Sequence, residues 1–97
     1  MGVELSHVSA GGLSGAHPRT ALTFTTSDQT VAIPSWATQA WVCYEDDTFY
    51  VALADTTSNG PELPAGAYLW PVGVAGGRSL HYRAKATGGT GSVTFLP

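Results

Sequence analysis

Ninety-seven residues with a formal net charge of −3 fit one domain, and that mild acidity argues against nucleic-acid binding, which needs a basic field. Only 11% of the residues are charged and 43% are hydrophobic, with 12 Gly and 6 Pro; ordinary soluble domains carry about 25% charge, so much of this surface need not be solvated alone. A single cysteine, Cys43, excludes an intramolecular disulfide, and no apolar run approaches the ~20 residues that span a bilayer.

Residues 1–19, MGVELSHVSAGGLSGAHPR, stand apart from the rest. Four glycines weaken any regular structure there, and Val3, Leu5, Val8 and Leu13 are scattered. The stretch reads as an extended arm, either a frayed terminus or a segment laid on a neighbouring subunit through Val3, Leu5 and Val8. The first eighteen residues contain no Lys or Arg, which reads against a secretory signal. Synthesis and assembly in a cytosol are therefore expected.

From Thr20 onward the apolar residues recur every second position, the period of a strand. Leu22 and Phe24 share one face of TALTFTT, and Val31 and Ile33 share one face of DQTVAI. TQAWVCYE and TFYVALA follow, separated by Asp46-Asp47. Residues 56–66, TTSNGPELPAG, are dense in turn formers, and Leu63-Pro64-Ala65-Gly66 fits a type I turn. In AYLWPVGV, Pro71 cannot donate to a ladder, so that strand is an edge or carries a bulge. SLHYRAKA alternates, with Leu80, Tyr82, Ala84 and Ala86 predicted inward and His81, Arg83 and Lys85 outward. SVTFLP closes the chain with Val93 and Phe95 inward. About seven short strands with frequent turns predict an all-β domain over residues 20–97, either a small antiparallel β-sandwich or a jelly-roll-like barrel.

The stretch from residue 39 to 54 reads as a hairpin around Asp46-Asp47. Such pairing sets Tyr44 opposite Phe49, Val42 opposite Val51 and Ala40 opposite Leu53 as a core layer. The other face then carries Trp41, Cys43, Tyr50 and Ala52, with Glu45 its only charge. Asp-Asp is a poor two-residue turn, since the favoured types want Gly or Asn at positive φ. Leaving a Trp and a Tyr wet forfeits several kcal/mol, at ~25 cal/mol per Å² and ~150–250 Å² per ring. That is comparable with the whole stability of a small domain. Either the chain's own arm or long loop covers that face, or another subunit does.

Chemistry has little to work with. Glu45, Asp46 and Asp47 are adjacent and point in different directions, whereas a Ca²⁺ site needs six or so converging oxygens; a solvated turn is the plain reading. His7, His17 and His81 lack ligand spacing, and Cys43 within an apolar strand reads as an inert small hydrophobe. No catalytic, metal or cofactor residues are assigned. His81, Arg83 and Lys85 form a basic stripe, either a solvated face that discourages edge aggregation or a contact with an acidic partner. Trp36, Trp41 and Trp70 read first as core or interface residues, with Trp70 beside Pro71 the best alternative candidate for stacking on a sugar.

The stretches VAIPSWA, FYVALAD, LPAGAYLWP, SLHYRA and GTGSVTFLP, spread over residues 31–97, resemble those of small all-β structural proteins of tailed bacteriophages. The resemblance implies a head decoration or cement protein of the virion. Such a protein packs as a homo-oligomer, trimers being common, and against the major capsid protein, without nucleic acid or membrane. It transfers no individual functional residue, and the arm lies outside it. The competing expectation is a carbohydrate-binding module on a host-attachment structure, with a glycan as ligand.

Overall fold

The computed structural model describes residues 18–53, 56–73 and 79–97. Within them eight strands form: β1 Thr20–Phe24, β2 Gln29–Ala32, β3 Gln39–Tyr44, β4 Phe49–Leu53, β5 Glu62–Leu63, β6 Gly66–Pro71, β7 Ser79–Ala84 and β8 Gly89–Leu96. A 3-10 turn occupies Thr57–Asn59. The expected Val3, Leu5 and Val8 contacts lie outside the described residues.

The strands make two four-stranded sheets. The first has the order β1-β8-β3-β6 and the second β2-β7-β4-β5. Every pairing is antiparallel, and β1 joins β8, β2 joins β7, β3 joins β6 and β4 joins β5. This is one long hairpin of strand pairs wrapped into two layers, the jelly-roll arrangement. The sandwich therefore forms as expected, with one strand more than the pattern predicted. The extra strand, β5, is two residues long and sits between Pro61 and Pro64, too short for a period of two to register.

Alternation explains what is buried. Leu22, Phe24, Ala40, Val42, Tyr44 and Val93 of the first sheet meet Phe49, Val51, Leu80, Tyr82 and Ala84 of the second in one core. Phe24 and Tyr44 stack with centroids 4.0 Å apart, and Phe49 meets Phe24 edge-on at 5.7 Å. Such pairs each add about 0.5–1.5 kcal/mol beyond area burial. Gly91, opposite Leu22 in the ladder, makes room for the stack: a Cβ there would come within 2.6 Å of the Phe24 ring. Pro71 ends β6, an edge strand as its missing N–H requires. Ala86, predicted inward, lies past the end of β7 and is exposed.

The expected hairpin does not form. β3 pairs with β6 and β8, and β4 with β5 and β7, so the two strands belong to different sheets. Ala40, Val42, Tyr44, Phe49 and Val51 are all fully buried, but they face one another across the core instead of along a ladder. The acidic turn is a crossover between layers. Asp47 Oδ2 accepts the backbone N–H groups of Ala86 and Thr87 at 2.7 and 2.8 Å, which ties the crossover to the β7–β8 connection. The Thr48 carbonyl accepts the Lys85 N–H at 2.9 Å beside it. With the strands in separate layers, no positive-φ turn is needed, so Asp-Asp suffices.

Candidate functional site

The crossover splits the predicted oily face in two. Trp41 and Cys43 look out from the first sheet, while Tyr50 and Ala52 look out from the second. The two surfaces are on opposite sides of the molecule and have different fates.

On the second sheet the chain covers itself. The turn at residues 57–60 lies over β4, and Gly60 approaches so closely that a Cβ would strike the Val51 carbonyl oxygen and come within 3.1 Å of the Ala52 Cβ. Ala52 is accordingly buried. Thr57, 1% exposed, donates its N–H to Asp28 Oδ1 at 2.9 Å and accepts from Arg83 Nε at 3.0 Å on its hydroxyl. Asp28 Oδ2 lies 2.7 Å from His81 Nδ1. Burial pushes the Asp28 carboxyl up, but the hydrogen bonds from His81 and Thr57 outweigh it and hold the group below its ordinary 3.8.

The three members of the basic stripe are thus engaged within the chain. His81 meets Asp28, and the Arg83 guanidinium stands 4.1 Å from the centre of the Tyr50 ring. Lys85 Nζ donates to Glu62 Oε2 at 3.1 Å. Tyr50 Oη donates to Glu62 Oε1 at 3.1 Å, which anchors the ring on the sheet.

The outer face of the first sheet differs. Trp41 sits between Leu69 of β6 and Thr94 of β8, and Cys43 between Ala67 and Ser92. Gln39 sits between Pro71 and Leu96, while Ala21 and Thr23 of β1 flank Ser92 and Thr90. None of these strand residues is charged. The face is not open throughout: Thr94 and Leu96 are buried, and Trp41 and Cys43 are half-buried. An open trough of about 420 Å³ runs across it, lined by Ala21, Cys43, Thr90 and Ser92 with Arg19 and Glu45 beside them. Trp41 is two residues from Cys43 on the same strand and is not among the residues that line the trough.

Cys43 lacks the lowered pKa that activates a thiol. Burial, followed by the charge and hydrogen bond of Glu45, pushes its thiol up, the opposite of what a reactive cysteine needs. Its Sγ donates to Glu45 Oε2 at 3.8 Å. No cluster of three or more His, Cys, Asp or Glu suited to a metal occurs among the described residues.

Trp70 turns toward the core. It is in register with buried Ala40, its ring packs against the core, and its Nε1 is buried without a hydrogen-bond partner. Trp36 is 51% exposed at the rim of a small cleft of about 130 Å³ with Pro18, Thr20, Pro34 and Phe95. Sequence reasoning missed Leu69, Ala67, Ser92 and Thr94. Their outward parity was readable from Tyr68-Trp70 and Val93-Phe95, but that they surround Trp41 depends on which strands share a sheet. In comparisons with family models, curated proteins and solved structures, nothing matches this chain.

Proposed function

We propose that the chain is a non-enzymatic structural protein of a virion, a head decoration or cement protein that packs against copies of itself and the major capsid protein. One observation carries this reading: an outer face on the first sheet whose strand residues are uncharged, with Trp41 beside Leu69 and charge only at its trough in Arg19 and Glu45, opposite a second sheet whose charged stripe is engaged within the chain. Aromatic and apolar residues with few charges mark the centre of protein interfaces. Covering this face stabilises a small domain by mass action, because partner binding favours the folded state alone. Jelly rolls build viral shells and lectins alike, so the fold does not choose between them. The inward packing of Trp70 weighs against a glycan platform.

The test is co-purification. In density gradients of the virions encoded alongside this chain, the protein is expected to band with the particles in a fixed ratio to the shell protein. A chain found only in the soluble fraction overturns the reading.

A further inference from the structure

We propose that the 57–60 turn is a strap latched onto the second sheet by the charged carboxylate of Asp28, and that acid opens this strap while the sandwich stays folded. The inference concerns the second sheet and does not depend on the assembly reading above.

The strap is held by polar contacts far more than by apolar burial. Thr57 is buried and Ser58 is exposed. The Gly60 N–H closes the turn on the Thr57 carbonyl at 3.1 Å, and Gly60 rests on the Val51 carbonyl without a side chain of its own. Segments that bury few apolar groups open locally, at free energies below that of the whole domain.

Asp28, in the connection between β1 and β2, joins the strap to the sheet. Its Oδ1 accepts the Thr57 N–H at 2.9 Å, while its Oδ2 lies 2.7 Å from His81 Nδ1 on β7. From the other side, Arg83 Nε donates to the Thr57 hydroxyl at 3.0 Å. Hydrogen bonds to an ionised carboxylate are about twice as strong as those to a neutral acceptor. A protonated carboxyl becomes a donor at one oxygen and holds Thr57 and His81 less well.

The charged and titratable groups around the latch fix its direction. β7 brings His81 against the carboxyl and Arg83 against Thr57, with Lys85 just past its end. β4 brings Tyr50, which lies under the Arg83 guanidinium. β5 brings Glu62, which is engaged with Lys85 and Tyr50 and holds β5 instead of the strap. Burial raises the Asp28 pKa, but the hydrogen bonds from His81 and Thr57 outweigh it and keep the group below 3.8. Stability from a carboxyl depressed in this way is present above its unfolded value and lost as pH falls through the folded one. The latch is therefore shut near neutrality and opens below pH 3.8. Opening bares Ala52, frees Arg83 from Thr57 and leaves His81 without its anionic partner, so the basic stripe is uncovered.

The experiment is amide hydrogen exchange of the full chain by NMR from about pH 7 to about pH 3, read as protection relative to the intrinsic rate at each pH. The Thr57 amide reports the strap. The Val72 amide, bonded to the Thr38 carbonyl at 2.8 Å beside the first sheet, reports the sandwich. Thr57 protection is expected to fall about tenfold or more below about pH 4 while that of Val72 holds. Asp28→Ala is expected to lower Thr57 protection about tenfold near neutrality and to remove the acid step, whereas Glu62→Gln leaves that step in place. If Asp28→Ala does not fold, the wild-type profile decides. Thr57 and Val72 losing protection together overturns the latch, as does Thr57 protection that stays level in acid or survives Asp28→Ala. An acid step that disappears in Glu62→Gln overturns it too.

Discussion

Tyr44 and Phe49 lie on opposite sheets, yet their rings meet edge to face across the core with centroids 5.7 Å apart. The crossover between them folds the chain back so that neighbours in sequence become the two halves of one aromatic cluster. Phe24 completes it from β1. The cluster closes the end of the sandwich where the β1–β2, β3–β4 and β7–β8 connections gather, and Tyr44 Oη donates to the Thr87 carbonyl there at 2.6 Å.

Phe49→Ala removes the edge-on ring from a fully buried position and is expected to cost about 3–5 kcal/mol. Against a small domain's total of roughly 5–15 kcal/mol, urea denaturation should find a large shift in midpoint. Tyr44→Phe keeps the ring and loses only the hydrogen bond, for about 1 kcal/mol.

Asp47 joins two connections that are far apart in sequence. Asp47→Ala is expected to lower the melting temperature in differential scanning calorimetry, whereas Asp46→Ala, whose carboxylate accepts no such pair of backbone amides, should lower it less. Equal effects would mean that the Ala86 and Thr87 contacts do not fix the crossover.

Acid should loosen the fold in a defined direction. Hydrogen bonds from Thr87 and Ala86 depress the Asp47 pKa, and the contacts from Lys85 and Tyr50 depress that of Glu62. At Asp28, burial acts upward but is outweighed by His81 and Thr57. A carboxyl whose folded pKa is depressed adds stability above its unfolded value, lost as pH falls through the folded one. The ordinary values are 3.8 for Asp and 4.5 for Glu, so the melting temperature should hold to about pH 5 and fall below about pH 4. Asp28→Asn should flatten part of that fall and cost about 1 kcal/mol near neutrality, discounted for its partial exposure.

Trp70 separates packing from recognition. Its Nε1 is buried without a partner, so Trp70→Phe is expected to be near neutral, since deleting an unsatisfied polar group offsets lost area. Trp70→Ala should cost about 2–3 kcal/mol, less than the ~3–5 of a fully buried ring. Chemical denaturation checks both. Glycan-array binding by the wild type that Trp70→Ala abolishes at full stability would favour the sugar-binding alternative.

The strands were legible because alternation is local. Leu80, Tyr82 and Ala84 point inward as the pattern predicts, and Pro71 marks an edge as its missing N–H demands. Sheet membership was not legible. A hairpin turn and a crossover share the same short polar signature, and Asp47's partners are some forty residues downstream. The one local hint was negative, in that Asp-Asp lacks the positive-φ residue a tight hairpin wants. That single ambiguity placed Trp41 and Tyr50 on one face when they occupy two. Covering Ala52 required knowing that Gly60 touches β4, and the partners of the basic stripe come from the β1–β2 connection, the 57–59 turn and β5.

Whether the outer face of the first sheet is buried in an assembly can be read from a cryo-EM map of the virion. Density from another subunit is expected over Trp41, Leu69 and Ala67, with the Arg83–Tyr50 side of the sandwich turned away from that contact. A map in which Trp41 looks onto open solvent while the chain is held through its second sheet would contradict it.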